Sequence, residues 1–116
     1  MKNEKKMKKF HVALGVNNVE ASVAEYNQRF DREADLVIPG EYALWRTPSL
    51  NISIRKISEG QPGELRHLGW EDPEATEVEV ETDCNNIMWE KFTAEQQAIE
   101  IENLWPGTGD RTGFNL

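Results

Sequence analysis

Apolar and polar positions in the first half of the chain follow two different periods. Residues 9–16 alternate with the period of two that predicts a β-strand, and His11 lies on the face that otherwise carries small residues. Residues 19–30 carry apolar residues at helical spacing after an N-cap pair of Asn17 and Glu20, which predicts a helix. Gly and Pro then separate three further strand-like stretches, at residues 34–38, 41–46 and 50–57. The first half is therefore predicted to follow the order β-α-β-β-β.

The second half of the chain starts with a segment that is similar to the first strand. Residues 64–70 predict a strand in which His67 and Gly69 share a face, as His11 and Ala13 do in the first strand. The shared order of a histidine and a small residue two positions later suggests an internal repeat.

A hairpin and a final helix are predicted for the rest of the second half. Residues 76–92 form two strand-like stretches around a turn rich in Asp and Asn, with Val78 and Val80 expected to point inward. Residues 93–105 begin with a capping box and carry an apolar stripe, which predicts a helix. The interval between residues 71 and 75 is too short for a helix of its own.

Length and composition indicate one α+β domain. A chain of 116 residues has the usual size of a single domain, and its four Trp and four Phe can supply a core. We expect a basic, mobile tail over residues 1–9, a folded domain over residues 10–105 and a flexible tail over residues 106–116.

The distribution of charge excludes several classes of partner. The formal net charge is −8 although the first nine residues contain five Lys and one Glu, so the rest of the chain is strongly acidic. An acidic surface repels phosphate backbones, which argues against nucleic acid as a partner. No apolar run reaches the length of a membrane span, and no apolar stretch of signal-peptide type follows the basic start. Cys84 is the single cysteine, so no internal disulfide can form and a cytoplasmic location is expected.

Four segments in this order resemble the vicinal-oxygen-chelate superfamily, which includes glyoxalase I, bleomycin-resistance proteins and extradiol dioxygenases. The matching segments are residues 10–14, 19–26, 65–69 and 82–92. The resemblance implies an α+β fold of paired βαβββ-type modules that form a curved, partly open mixed sheet. The implied parts are a first module at residues 10–57, a shortened second module at residues 64–92 and a C-terminal helix at residues 93–105.

Two features depart from the pattern of that superfamily. The second module lacks the helix and one strand that the family usually has. We expect the helix at residues 93–105 to take the place of the missing helix and to cover the same sheet face. In the closing turn, Cys84 and Asn86 stand where the family usually has Pro and Gly. Asn still accepts the left-handed backbone conformation that is needed there.

The resemblance also implies a site for one divalent metal ion at His11, His67 and Glu90, each from a different strand. Two imidazoles and one carboxylate leave about half of an octahedral shell open, so that a small substrate can chelate the ion through vicinal oxygens. Fe(II), Mn(II), Ni(II) and Zn(II) all suit these ligands. Glu90 stands out even without the resemblance. It shares a predicted strand face with Met88 and Phe92, where an unpaired carboxylate is costly.

Three functions remain open from the sequence. The first is a metal-dependent dioxygenase or lyase, and the second is a metal-free small-molecule binding or sequestering protein of the bleomycin-resistance type. The third is an interaction module with a vestigial site, because the shortened second module can admit water to the cavity. Glyoxalase I in the strict sense is not favoured, since the strand expected to supply its fourth ligand offers Asn51, Ser53 and Arg55.

Several other residues have simpler explanations. Either histidine on its own is compatible with a structural role. Tyr26, Tyr42, Arg46 and Ser53 are candidates for lining the cavity, but Tyr26 belongs to the apolar stripe of the first helix and is expected in the core. A small-molecule substrate or ligand is the expected partner, and a homodimer is an option that the sequence leaves open.

Overall fold

The computed structural model describes residues 7–107, so residues 1–6 and 108–116 of the predicted tails lie outside the described part. The described strands are β1 (Lys9–Val16), β2 (Leu36–Ile38), β3 (Tyr42–Arg46), β4 (Leu50–Lys56), β5 (Glu64–Glu71), β6 (Glu79–Thr82) and β7 (Met88–Phe92). The helices are α1 (Val19–Phe30) and α2 (Ala94–Leu104). Strand β1 has the predicted bounds, residues 9–16, and so begins one residue before the start expected for the folded domain; Nζ of Lys9 donates to the carbonyl oxygen of Thr47 at 2.9 Å.

All of these strands belong to one mixed, open sheet in the order β2-β3-β4-β1-β5-β7-β6. In the first half, β1 pairs in parallel with β4, and β3 pairs antiparallel to β4. The second half repeats this pattern, because β5 pairs in parallel with β7 and β6 pairs antiparallel to β7. The antiparallel pair of β1 and β5 joins the two halves. This architecture confirms the predicted α+β fold with a shortened second half and a C-terminal helix.

Helix α1 covers one face of the sheet, which we call the outer face and which carries Trp45 and Ile54. The buried side chains of this layer are Val16, Val19, Ala43, Trp45 and Ile54, with Val23, Tyr26 and Phe30 of α1 packed against them. The helix begins after Asn18, whose side-chain oxygen accepts a hydrogen bond from the backbone N–H of Ala21 at 2.9 Å. The prediction of Asn17 as the cap is therefore wrong by one residue.

Helix α2 covers part of the opposite face, which we call the inner face and which carries His11. The buried side chains of this layer are Ala98 and Ile101 of α2 and Leu36, Ile38, Tyr42 and Leu44 of β2 and β3. The expectation that α2 replaces the missing helix of the second module is wrong. By the repeat, that helix belongs on the outer face of the second half, whereas α2 packs on strands of the first half. Trp70 and Trp89 share the outer face of the second half with Glu79, Glu81 and Lys91, whereas α2 buries its apolar stripe against the adjoining apolar side chains of β2 and β3.

Strand β6 forms an open edge of the sheet. Val80 pairs with Glu90 and so lies on the inner face, but α2 lies over the first half of that face. As a result, Val78 and Val80 are each 54% exposed. The prediction that these two valines point into the core is therefore wrong.

The turn between β6 and β7 is organised by Asp83. Its carboxylate accepts hydrogen bonds from the backbone N–H groups of Asn85 and Ile87, at 2.8 and 2.9 Å, and from the indole of Trp89 at 2.8 Å. Asn86 has a φ of 67°, so the expectation of a left-handed asparagine at this position is confirmed. The turn sets the position of β7 and hence of Glu90.

Candidate metal centre

Two histidines approach each other on β1 and β5, the central strands of the inner face. Across this antiparallel pair, His11 lies opposite Gly69 and His67 lies opposite Ala13. Each imidazole therefore has a small residue as its direct neighbour, which leaves room for the two rings to meet along the diagonal. His11 and His67 are buried, with exposures of 2% and 8%, and their Nε2 atoms are 3.0 Å apart.

Glu90 joins the two histidines from a third strand, β7. In the parallel pairing of β5 and β7, Glu90 lies beside Gly69, so that His11, Gly69 and Glu90 form one row across three strands. The Oε1 atom of Glu90 is 3.2 Å from Nε2 of His67. One ligand atom from each of the three residues lies within 4.8 Å of the other two. The structure thus brings the three predicted ligand residues together.

Gly69 allows the strands at the site to come close. A Cβ atom at this position would clash with backbone atoms of Glu90, which cannot move aside as the end of a flexible side chain can. The glycine is therefore required by the close approach of a neighbouring backbone. Any side chain at position 69 would push Glu90 away from the two imidazoles.

Two of the three distances between the ligand atoms match those of a set of metal ligands. Two ligand atoms that each lie 2.0–2.2 Å from one ion, at angles of 90–109°, are about 2.8–3.6 Å apart. The separations of 3.0 Å between the two Nε2 atoms and 3.2 Å between His67 and Glu90 lie in this range. Two imidazole nitrogens and one carboxylate oxygen are donors that Fe(II), Mn(II), Ni(II) and Zn(II) accept. The residues therefore fit a divalent cation of this group.

Asn51 sets the tautomer of His11. The Nδ2 group of Asn51 donates to Oε1 of Glu71 and to Oε1 of Gln97, both at 2.8 Å, and this orients its Oδ1 atom toward the imidazole. Nδ1 of His11 is 2.9 Å from Oδ1 and 3.1 Å from the backbone oxygen of Asn51, so Nδ1 carries the hydrogen. The lone pair of His11 is then on Nε2, the atom that faces the other two ligand residues.

A buried ion pair holds Asn51 in this orientation. Arg46 donates to Glu71 through Nε at 2.9 Å and through Nη2 at 2.7 Å, and the two side chains are only 11% and 7% exposed. A continuous chain of hydrogen bonds therefore runs from Arg46 through Glu71 and Asn51 to His11. Residues that hydrogen-bond to a metal ligand, without touching the ion, orient that ligand and tune the metal affinity of the site.

Burial and hydrogen bonds favour the protonation states that bind a metal. The pKa of His11 is lowered, first by burial and then by the nearby His67, so the ring is neutral at neutral pH. The hydrogen bond with His67 lowers the pKa of Glu90, although burial acts in the opposite direction. Burial alone would raise the pKa of Glu71, but the hydrogen bonds from its two partners lower it overall. The site therefore offers a neutral imidazole and an ionised carboxylate.

A small cavity of about 60 Å³ lies beside the three groups, between the inner face and α2. Besides the three predicted ligands, its wall includes Tyr42, Ser53, Arg55, Arg66, Gln97 and Glu100. Sites for drug-sized ligands have volumes of about 300–1,000 Å³, so this cavity suits only a small molecule. Of the residues predicted as lining candidates, Tyr42 and Ser53 are present in the wall.

The other two lining candidates lie elsewhere. Tyr26 belongs to the outer-face core, where its ring contacts those of Phe30 and Trp45, as expected for a core residue. Arg46 lies on the inner face but binds Glu71.

Arg66 lines the cavity because strand β5 contains a bulge. The register between β1 and β5 passes from the pair Ala13–His67 to the pair Leu14–Leu65, so Arg66 is an additional residue on β5. Strict alternation would place Arg66 and His67 on opposite faces. No turn or glycine signal in the sequence indicates this bulge, so sequence reasoning missed Arg66.

The role of Asn51 was also missed, although a signal for it exists. Residues 50–56 alternate apolar and polar positions, and the strand lies in the middle of the first half of the sheet. A polar residue on a central strand has to find a partner, because a buried amide without one is costly. Asn51 is fully buried and meets this need through His11, Glu71 and Gln97.

A second, larger groove of about 410 Å³ lies on the outer face of the second half. Its wall contains Trp70 and Trp89, together with Lys8, Asp72, Glu79, Glu81, Thr82, Asp83, Glu90 and Lys91. The two tryptophans alternate along their strands with Gly69 and Glu90, so their side chains lie on the face opposite to the metal-ligand cluster. Glu90 itself lines both this groove and the small cavity. No helix of residues 7–107 covers this part of the sheet.

Comparisons with known proteins support the fold and leave the activity open. No protein-family model matches the sequence, and no curated protein matches it. Among solved structures, the chain is similar to one described as the crystal structure of NAD-dependent benzaldehyde dehydrogenase from Legionella pneumophila. The two chains share 12% identity with a TM-score of 0.51, and the match covers 72% of this chain and 97% of that chain. At this identity the similarity concerns the fold alone, and the activity named belongs to the other protein.

Proposed function

We propose that this chain is a glyoxalase-like or dioxygenase-like metal-binding protein that holds one divalent cation at His11, His67 and Glu90. The observation that carries the proposal is the convergence of the ligand atoms, with 3.0 Å between the two Nε2 atoms and 3.2 Å from His67 to Glu90. Its proposed activity is that of a metal-dependent enzyme on a small substrate that chelates the ion through vicinal oxygens.

This convergence is poorly satisfied by hydrogen bonds alone. Nε2 of His67 has at most one hydrogen, yet it lies within reach of two acceptors, Nε2 of His11 and Oε1 of Glu90. A divalent cation satisfies all three lone pairs at once. It also supplies a compensating charge for the partly buried carboxylate of Glu90.

Three protein ligands leave coordination positions for a substrate. A divalent ion in this position supplies Lewis-acid stabilisation of charge on a bound oxygen. The chain itself decides what can approach, because α2 closes one side of the cavity and the remaining volume is about 60 Å³. Substrates with a few non-hydrogen atoms therefore suit the site better than large aromatic ones.

The internal repeat supports the resemblance to the vicinal-oxygen-chelate superfamily. The pair β1–β4 with its neighbour β3 corresponds to the pair β5–β7 with its neighbour β6. His11 and His67 thus lie on equivalent strands of the two halves, and Glu90 lies on the last strand of the second half. This placement is the one that the resemblance implies.

A metal-free binding protein of the bleomycin-resistance type is the second candidate, and the outer groove favours it. The groove has a volume of about 410 Å³, and its wall combines two indole rings with five carboxylates and two lysines, a net negative charge that suits an organic cation with aromatic rings. This function predicts that a cationic aromatic dye quenches tryptophan fluorescence, that Trp89→Ala abolishes dye binding and that His67→Ala does not change it. Dye binding that is unaffected by Trp89→Ala would exclude the groove as the site.

We further propose a cytoplasmic location and a homodimer. Neither helix of the described residues has the length and apolar character needed to cross a membrane. Cys84 is a free, exposed thiol, which suits a reducing compartment.

Val78, Val80 and Met88 are exposed apolar residues beside the open edge of β6, where a second copy can cover them. Sedimentation equilibrium of the wild type and of Val80→Lys tests the dimer.

The metal content of the purified chain tests the main proposal. After anaerobic reconstitution with Fe(II) or Mn(II) and desalting, inductively coupled plasma mass spectrometry should find about one ion per wild-type chain. His67→Ala and Glu90→Gln should lose the ion, whereas Glu81→Gln, a matched change on the outer face, should retain it. A wild type that binds no metal under any loading, or a His67→Ala variant that retains full occupancy, would exclude the proposed site.

A further inference from the structure

The geometry points to a small organic carboxylate, with a second oxygen on the adjacent carbon, as the ligand of the proposed metal site. Arg66 and Arg55 are the residues assigned to its carboxylate group. This inference rests on the proposed function and names the class of substrate for the same site.

Two guanidinium groups enter the cavity from different strands. Arg66 reaches it as the additional residue of the bulge in β5 and lines the same cavity as His67 and Glu90. Arg55 reaches it from β4, where it shares the inner face with Ser53. The cavity therefore has the metal-ligand cluster and both arginines in one wall.

Neither guanidinium forms an ion pair with a carboxylate in residues 7–107, although Glu90 and Glu100 attract Arg66 from a greater distance. Arg66 forms no hydrogen bond or ion pair in this part of the chain, and the described contact of Arg55 is with the ring of Trp105, at 5.4 Å. The other described arginines are all paired, Arg29 with Glu25, Arg32 with Asp35 and Arg46 with Glu71. A half-buried guanidinium that makes no hydrogen bond within the chain is well suited to donate charge-assisted hydrogen bonds to a carboxylate.

The charge of the cavity favours an anion once a divalent cation is bound. Glu90 and Glu100 are the acidic groups of the wall, and both histidines are neutral when they act as ligands. The two charges of the ion and those of Arg55 and Arg66 then exceed the two negative charges of the carboxylates. The two guanidinium groups also repel each other, and a bound anion relieves this repulsion.

The size of the cavity selects among anions. A volume of about 60 Å³ accommodates a few water-sized groups, since each needs roughly 10–15 Å³. Oxalate or a short α-hydroxy or α-keto acid can place one carboxylate oxygen and the adjacent oxygen toward the ion. The other carboxylate oxygen remains for a guanidinium. Catechol also has vicinal oxygens, but its ring needs more room and offers no carboxylate to the arginines.

Isothermal titration of oxalate into nickel-loaded protein tests the inference. The variants are Arg66→Gln, Arg66→Lys, Arg55→Gln and, as the matched control, Arg29→Gln, whose guanidinium is bonded to Glu25 at the surface. Nickel content is measured before and after each titration, which reports both metal loading and removal of metal by oxalate. Catechol and acetate serve as comparison ligands.

We expect oxalate to bind the wild type more tightly than catechol or acetate, and Arg66→Gln to weaken it by about tenfold or more. The oxalate affinity of Arg66→Lys should lie between those of the wild type and Arg66→Gln, and the oxalate affinity of Arg29→Gln should equal that of the wild type. Equal oxalate affinity in Arg66→Gln and the wild type, at equal nickel content, would overturn the inference and leave the metal site standing. If Arg66→Gln does not retain nickel, the oxalate affinity of Arg55→Gln is compared with that of the wild type instead. Equal affinities at equal nickel content would then overturn the inference.

A wild type that takes up no nickel would overturn the proposed function instead. Oxalate titration of the metal-free chain then decides the inference separately. Oxalate binding that depends on Arg66 would support the carboxylate site, and a lack of such binding would overturn it.

Discussion

The hydrogen on Nδ1 of His11 is bonded to Oδ1 of Asn51 at a distance of 2.9 Å. This bond leaves the lone pair of His11 on Nε2, where the other candidate ligands meet. Asn51 holds its orientation because its Nδ2 group donates to Glu71 and Gln97. The metal affinity proposed for the site therefore depends on residues that do not touch the ion.

Replacing Asn51 should weaken metal binding without removing a ligand. In Asn51→Ala, Nδ1 of His11 loses its side-chain acceptor, and the metal affinity should fall roughly 10–100-fold, as for other second partners of ligand histidines. Competition with a chromophoric chelator measures this change. Asn17→Ala, which removes an exposed asparagine, is the control. An unchanged affinity in Asn51→Ala would show that the hydrogen bond does not orient the ligand.

Adding one methyl group at position 69 should disrupt the site. The Cβ atom of Gly69→Ala meets backbone atoms of Glu90, so β5 and β7 have to separate. We expect the free energy of unfolding to fall by about 1–3 kcal/mol and metal uptake to be lost. Urea denaturation and metal analysis measure the two effects. Wild-type metal content in Gly69→Ala would contradict the proposed position of Glu90.

Removing one partner of the buried ion pair should destabilise the chain strongly. Arg46→Ala leaves the carboxylate of Glu71 buried with an amide as its remaining donor, and the free energy of unfolding should fall by about 3–5 kcal/mol. Arg29→Ala breaks an exposed ion pair with Glu25 and should change the free energy of unfolding by less than about 1 kcal/mol. Chemical denaturation of the two variants measures the difference. Similar values for both would contradict the structural role of Glu71.

The stability of the metal-free chain should fall as the pH is lowered from neutral. The pKa of His11 in the folded chain lies below its ordinary value of 6.5. The unfolded chain has the ordinary pKa for His11, so between the folded and unfolded pKa values the unfolded chain binds more protons than the folded chain. Acidification therefore favours unfolding. Urea denaturation of the metal-free wild type and of His11→Gln at several pH values measures the effect. An equal loss of stability in both would show that His11 is not its source.

The resemblance implied the set of candidate ligands, and local patterns in the sequence assigned each of them to a strand. The alternation around His11 and His67, and the position of Glu90 between Met88 and Phe92, placed the ligands on strands that do meet. The capping box at Thr93 likewise predicted the start of α2, and both of its hydrogen bonds are present. These features depend on contacts between residues that are close in sequence or on strict periodicity.

Features that depend on tertiary contacts could not be predicted in the same way. The bulge at Arg66 breaks the period of β5 without any local signal, so the residue could not be placed beside His67. The face chosen by α2 depends on the apolar side chains that distant strands present, and the hydrophobic stripe of the helix does not specify it. The exposure of Val80 follows from that choice.

Anomalous X-ray diffraction from crystals loaded with Mn(II) or Ni(II) tests the central claim most directly. The account predicts one strong anomalous peak about 2.0–2.2 Å from Nε2 of His11, Nε2 of His67 and a carboxylate oxygen of Glu90. The same peak should be missing from crystals of His67→Ala. A peak at another place, such as the carboxylates of the outer groove, or no peak in fully loaded crystals, would contradict the account.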